Sequence, residues 1–167
     1  MLQMGDRVVY GSHGVCTLVA LEQRKVDRKT ADYYVLEPIA QPGACYYIPV
    51  QNEIAISKLR PLLTAEEIEN LFGNPSMYEG VWITDENKRK SKYRELLGNG
   101  DRATLICMIR LLQEHRESQL SAGRKFHLCD ENFLKDAKKL LTEEFSLVLG
   151  ISKQDVGAYI EKKLNNH

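Results

Sequence analysis

With 167 residues, 43% of them hydrophobic and 28% charged, the chain has the composition of a folded globular protein of one ordinary domain or two small ones. Its 23 Lys and Arg balance 23 Asp and Glu, which argues against coating nucleic acid by bulk charge but allows a local basic patch. No apolar run nears the roughly 20 residues of a bilayer span, and the opening MLQMGDRVVYG lacks the apolar core of a secretory signal. A cytoplasmic protein with no membrane partner is the expectation.

Up to about Leu62 the sequence reads as strands. The stretches from Arg7 to Tyr10, Val15 to Val19, Tyr33 to Leu36 and Cys45 to Ile48 are short β-branched or aromatic runs bounded by Gly, Pro, Asp and Asn. Polar Lys25 to Thr30 and the Pro42-Gly43 turn suit loops between antiparallel strands. Four or five such strands in about 60 residues predict a small Tudor- or SH3-like antiparallel barrel over residues 1–62.

Beyond Pro61 the pattern becomes helical, and residues 63–167 form the second predicted domain. Thr64 and Glu67 have capping-box spacing, and Leu71-Phe72 closes that helix before a break at Gly73-Asn74-Pro75. A basic helix is predicted from Thr84 or Asp85 to Leu97, stopped by Gly98-Asn99-Gly100. Asp101 caps the next, whose Leu105, Ile106, Ile109 and Leu112 make one apolar stripe. A further helix, about Asp130 to Leu149, carries Phe133, Leu134, Ala137, Leu140, Leu141, Phe145 and Val148 on one side. Ser152 and Asp155 open a last one, with Asp in place of the box's Glu.

Few residues point to chemistry. No nucleophile elbow, zinc-protease motif, P-loop or dinucleotide fingerprint is present, and the expectation is a non-enzyme without cofactor or metal. Cys16, Cys45, Cys107 and Cys129 contain no C-x-x-C pair and read as reduced, mostly buried thiols. His127 and Cys129 offer two metal ligands but no third, so a helix-entry loop is the better reading. Tyr10, Tyr33, Tyr34, Tyr46 and Tyr47 cluster in the β half; an aromatic cage for a methylated cation competes with plain core packing.

The charge pattern is sharper. Residues 1–62 hold 7 basic and 6 acidic side chains, leaving 16 and 17 for the rest. Yet Lys88, Arg89, Lys90, Lys92 and Arg94 put five cations into seven residues with no acid among them. A solvated helix face and a nucleic-acid-binding face both fit. Trp82, the sole Trp, precedes this run, either as an anchor docking the helix or as a wedge prying at base stacking.

Met4-Gly5-Asp6-Arg7-Val8-Val9-Tyr10, then His13-Gly14, resembles the opening of the CarD/CdnL transcription regulators of bacteria. Glu22 to Arg24, Tyr34 to Leu36 and Tyr47 to Pro49 continue the likeness in register; Gly100-Asp101, Leu120 to Gly123 and Ala137 to Leu141 extend it more loosely. The same module occurs in the much longer transcription–repair coupling factors. The resemblance implies a Tudor-like domain that binds the β subunit of RNA polymerase. It also implies a helical domain that meets promoter DNA at the upstream edge of the bubble and stabilises the open complex. It places polymerase contact at Arg24, Tyr47, Ile48 and Pro49, and DNA contact at Lys88 and Arg89, with Trp82, Lys90, Lys92 and Arg94 beside them. Tyr47 stands where the family has Arg, and Glu86 where it has its wedge Trp. Trp82 reaches the wedge position only if the helix starts a turn early. Slight DNA sequence preference is expected, because such a face meets mainly phosphates. A peptide-binding Tudor-like module and an RNA- or ribosome-associated SH3-like protein are the alternatives.

Overall fold

The structure, a computed structural model, describes residues 1–74 and 80–166. It divides into two compact units, Met1–Leu62 and Leu63–His167. Among the described residues no helix is long and apolar enough to cross a membrane.

In the first unit, strands β1 (Arg7–Tyr10), β2 (Val15–Val26), β3 (Lys29–Pro38), β4 (Tyr46–Pro49) and β5 (Leu59–Pro61) form one antiparallel sheet ordered β4-β3-β2-β1-β5. Helix α1 (Glu53–Ser57), capped by Asn52, falls between β4 and β5 in the chain and packs against both. The expected barrel is instead an open sheet. Its outer strands, four and three residues long, form no ladder with each other. Lys25 to Thr30 is likewise not a loop. Only Asp27 and Arg28 turn the chain, both with positive φ (49° and 65°), the tight hairpin whose twist matches the flanking strands.

One irregularity in β2 decides which residues face out. Leu18 pairs with Leu36 and Ala20 with Val35, so Val19 is an extra residue, a β-bulge. Strand residues alternate faces, so Leu18 in the core would otherwise carry Ala20, Glu22 and Arg24 inward with it. The bulge reverses that phase. Val8, Cys16, Leu18, Tyr34, Leu36 and Ile48 make the core, and Glu22 and Arg24 lie on the opposite face.

The second unit packs α2 (Ala65–Phe72), α3 (Glu86–Asn99), α4 (Arg102–Ser121), α5 (Leu128–Leu149) and α6 (Lys153–Asn165). Its core takes Ile68 and Phe72 from α2, the stripe Leu105, Ile106, Ile109 and Leu112 from α4, and Phe133, Leu134, Ala137, Leu141 and Phe145 from α5. Each of these Leu, Ile and Phe side chains contributes about 1.5–3 kcal/mol on burial. The Thr64–Glu67 capping box forms in both directions, and Gly100 and Gly150 end α3 and α5 in the left-handed region. α3 runs two residues past the expected Leu97. Pro75, expected to help break α2, lies outside the described residues. Ser152 occupies the N-cap position of α6 but makes no side-chain bond to the helix backbone; its hydroxyl donates to the Asp155 carboxylate (2.8 Å), so the expected box does not form. Of the cysteines only Cys16 is buried; Cys45 is exposed, and Cys107 and Cys129 lie between.

Candidate functional site

Two surfaces carry the residues singled out in the sequence, one in each unit. On the sheet, the rows Ala20–Val35–Tyr47 and Glu22–Tyr33–Pro49 run across β2, β3 and β4, with Arg24 beside Ala31 in the next row of that face. The Arg24 guanidinium lies over the Tyr47 ring, 3.8 Å from its centroid, and its Nε donates to Glu22 (3.2 Å). Arg24 and Tyr47 remain 45% and 40% exposed, so a planar cation on an aromatic face is presented to solvent. Pro49 shares this face. Ile48 does not: it pairs with Tyr34 on the core side and is 2% exposed, which removes it as a direct contact.

β4 is also an edge strand. The Val50 N–H bonds the Asp32 C=O (2.9 Å), which fixes the phase of its ladder. By alternation Ile48 and Tyr46 face β3 with their backbone groups, and Tyr47 turns its N–H and C=O to the open edge. The Pro49 ring has no N–H, and its carbonyl accepts from Asn52 (3.1 Å). Tyr47 thus carries both the exposed ring and the free edge.

The rings do not form a cage. Tyr10, His13 and Tyr46 lie 4.9–5.4 Å apart, close enough to fill the space among themselves, and Tyr34 is in the core.

In the helical unit, Asp85 caps α3 by accepting from the Lys88 N–H (2.9 Å), so the helix does not start early and Trp82 lies outside it, ahead of the cap. The five cations divide. Arg89 is 4% exposed: its Nε and Nη2 grip both oxygens of Asp130 (2.9 and 3.0 Å), and Nη1 donates to the Ile83 carbonyl. Burial disfavours its charge, but the Asp130 hydrogen bond and negative charge outweigh this and raise its pKa. Arg89 is therefore not a surface DNA contact. It lies one turn before buried Tyr93 on the inward stripe of α3, and that i, i+4 spacing was the signal in the sequence. Its partner Asp130 had no signal beyond a helix start.

Lys90 pairs with Glu86 (2.8 Å) and Lys92 with Glu95 (3.7 Å), both at the surface. Lys88 and Arg94 are exposed and have no ion-pair partner among the described residues. Trp82 stacks on His115 (3.8 Å between centroids, 11°), meets Tyr93 edge-on, has the Arg89 guanidinium 4.6 Å from its ring, and packs half-buried on the helical core. This is the anchoring arrangement; insertion into DNA requires the ring to leave its stack. Burial lowers the pKa of His115 and raises that of Tyr93 to about 12. No group of three or more His, Cys, Asp or Glu able to hold a metal occurs among the described residues.

Residues 2–60 match the family described as the CarD-like/TRCF RID domain. The chain is also 23% identical over 163 residues to a Bacillus subtilis (strain 168) protein named "Putative transcription factor YdeB", an alignment that covers 95% of this chain and 99% of that one.

Proposed function

We propose that this chain, whose residues 2–60 match the CarD-like/TRCF RID domain, is a transcription regulator of that family. Its sheet docks on the β subunit of RNA polymerase, and α3 touches promoter DNA at the upstream edge of the bubble and stabilises the open complex. The supporting observation is the pairing of Arg24 with Tyr47 on an edge strand with a free backbone. A partner strand added there gains main-chain hydrogen bonds from Tyr47 and stacking from the Arg24–Tyr47 pair. Tethering then holds α3 near DNA at high effective concentration, which suits a helix with two surface cations, Lys88 and Arg94, that have no ion-pair partner among the described residues, and a chain of zero net charge.

In this reading Lys88, Lys90, Lys92 and Arg94 meet phosphates, and Trp82 positions the helix. The test is binding of the purified β subunit to the full chain. Arg24→Glu or Tyr47→Ala should weaken it at least tenfold, about 1.4 kcal/mol, with unchanged melting. Binding that survives both changes, or a chain that captures ribosomes and not polymerase, overturns the assignment.

A further inference from the structure

Beyond Leu18 the hairpin of β2 and β3 has no strand beside it on the β1 side. The register of β1 ends at Thr17, and Leu18 makes the last bonds there, donating to the Asp6 carbonyl (2.8 Å) and accepting from the Gly5 N–H (2.9 Å). The phase of the hairpin ladder then fixes which backbone groups lie open. Val26 and Lys29 flank the two-residue turn at Asp27-Arg28, and the pair flanking such a turn is a bonded one. Alternation makes Arg24–Ala31 and Glu22–Tyr33 bonded pairs too, so Leu21, Gln23 and Lys25 turn their N–H and C=O groups away from β3. The Val50 N–H bond to the Asp32 carbonyl has the same phase, because Asp32, which opposes Gln23, faces β4. No backbone bond from Leu21, Gln23 or Lys25 occurs on that outer side among the described residues.

This edge differs from the one at Tyr47. It presents three donors and three acceptors where Tyr47 presents one of each, and it runs about 14 Å from Leu21 to Lys25 at about 3.4 Å per residue. Residues 21–30 are all exposed, Leu21 to 59%. Their side chains are cationic on balance, with Arg24, Lys25, Arg28 and Lys29 against Glu22 and Asp27. Arg24 already pairs with Glu22, while Lys25 has no ion-pair partner among the described residues. Leu21, Gln23 and Lys25 alternate onto one face, so the edge reads apolar, amide, cation in order. A lysine on an edge strand discourages indiscriminate pairing and favours an acid on the strand opposite.

We propose that the outer edge of β2 from Leu21 to Lys25 is a second docking site, which takes an extended acidic segment of another protein as an added antiparallel strand. Opposed residues share a face, so the segment carries an acid against Lys25, a hydroxyl or amide residue against Gln23 and an apolar residue against Leu21. Antiparallel addition sets the acid at its N-terminal end. The site goes beyond the polymerase reading and does not rest on it. In the sheet order β2 opens toward β1 and β4 opens the other way, so the two edges can be filled together.

The experiment follows amide hydrogen exchange by NMR in the isotope-labelled full chain, with an end-blocked peptide of core Glu-Thr-Thr-Thr-Val as the probe. At a peptide concentration about tenfold above Kd, exchange at Leu21, Gln23 and Lys25 should slow about tenfold. That at Glu22 and Arg24, already bonded to β3, should change little. Gln23→Pro removes an outward N–H without touching the ladder to β3 and should abolish the protection at Leu21 and Lys25. Lys25→Glu, which leaves the backbone alone, should weaken binding about threefold to tenfold, and a peptide with Lys in place of its Glu should restore it. Affinity indifferent to both charge changes overturns the proposal. Protection that persists in Gln23→Pro and disappears in Tyr47→Ala overturns it too, for the peptide then lies on β4. So does alternate protection that grows with protein concentration in the absence of peptide, which makes the edge a contact between copies. No protection in the parent at about 1 mM peptide refutes the site outright.

Discussion

Asp130→Asn strands the Arg89 guanidinium inside the helical unit. The two side chains are 0% and 5% exposed, and two parallel bonds of 2.9 and 3.0 Å join them. Removing one partner of a buried pair costs about 3–5 kcal/mol, because the remaining charge keeps its desolvation cost and loses its counter-charge. The exposed Lys90–Glu86 pair, by contrast, is worth about 0.2–1 kcal/mol. For a unit of this size about 4 °C of melting temperature corresponds to each kcal/mol, so the drop should be roughly 12–20 °C. Circular dichroism and the fluorescence of Trp82, which sits against Arg89, should report the same transition. Arg89→Met combined with Asp130→Leu should recover most of the loss, since no charge then stays buried. An Asp130→Asn protein that melts within about 2 °C of the parent would refute the burial argument. So would a stable double variant whose DNA binding falls as far as when Lys88 and Arg94 are removed, for Arg89 would then be a contact.

Trp82→Ala should destabilise the helical unit by about 3 kcal/mol, the low end for a large aromatic because the ring is only half-buried; normal melting with a shortened open-complex lifetime would instead mark Trp82 as a wedge. His115, whose pKa burial lowers, stays neutral in the fold while the unfolded chain protonates near pH 6.5. Stability should therefore fall as pH drops through about 6.5 and level off below the depressed folded value, and His115→Phe should remove that portion of the slope in denaturant titrations at several pH values.

Local elements were legible because their signals are local. Thr64 and Glu67, Asp85, Asp101 and Gly150 announce helix ends through bonds to backbone groups a few residues away, and the α4 stripe through a 3.6-residue period. The opening motif likewise carried a family resemblance, and residues 2–60 match the CarD-like/TRCF RID domain. Side-chain destinations were another matter. Arg89 and Lys88 are adjacent members of one basic run, yet one is buried on Asp130, 41 residues away, and the other faces water. Arg24 faces out only because Val19 adds a residue to its strand, and Ile48 faces in because it opposes Tyr34. The sequence alone thus determined most of the strands and helices, though not α1 or the run of β2 and β3 through Lys25 to Thr30. Only the tertiary structure decided which cations remain at the surface, because burying a charge depends on a partner that the chain brings near only when it is folded.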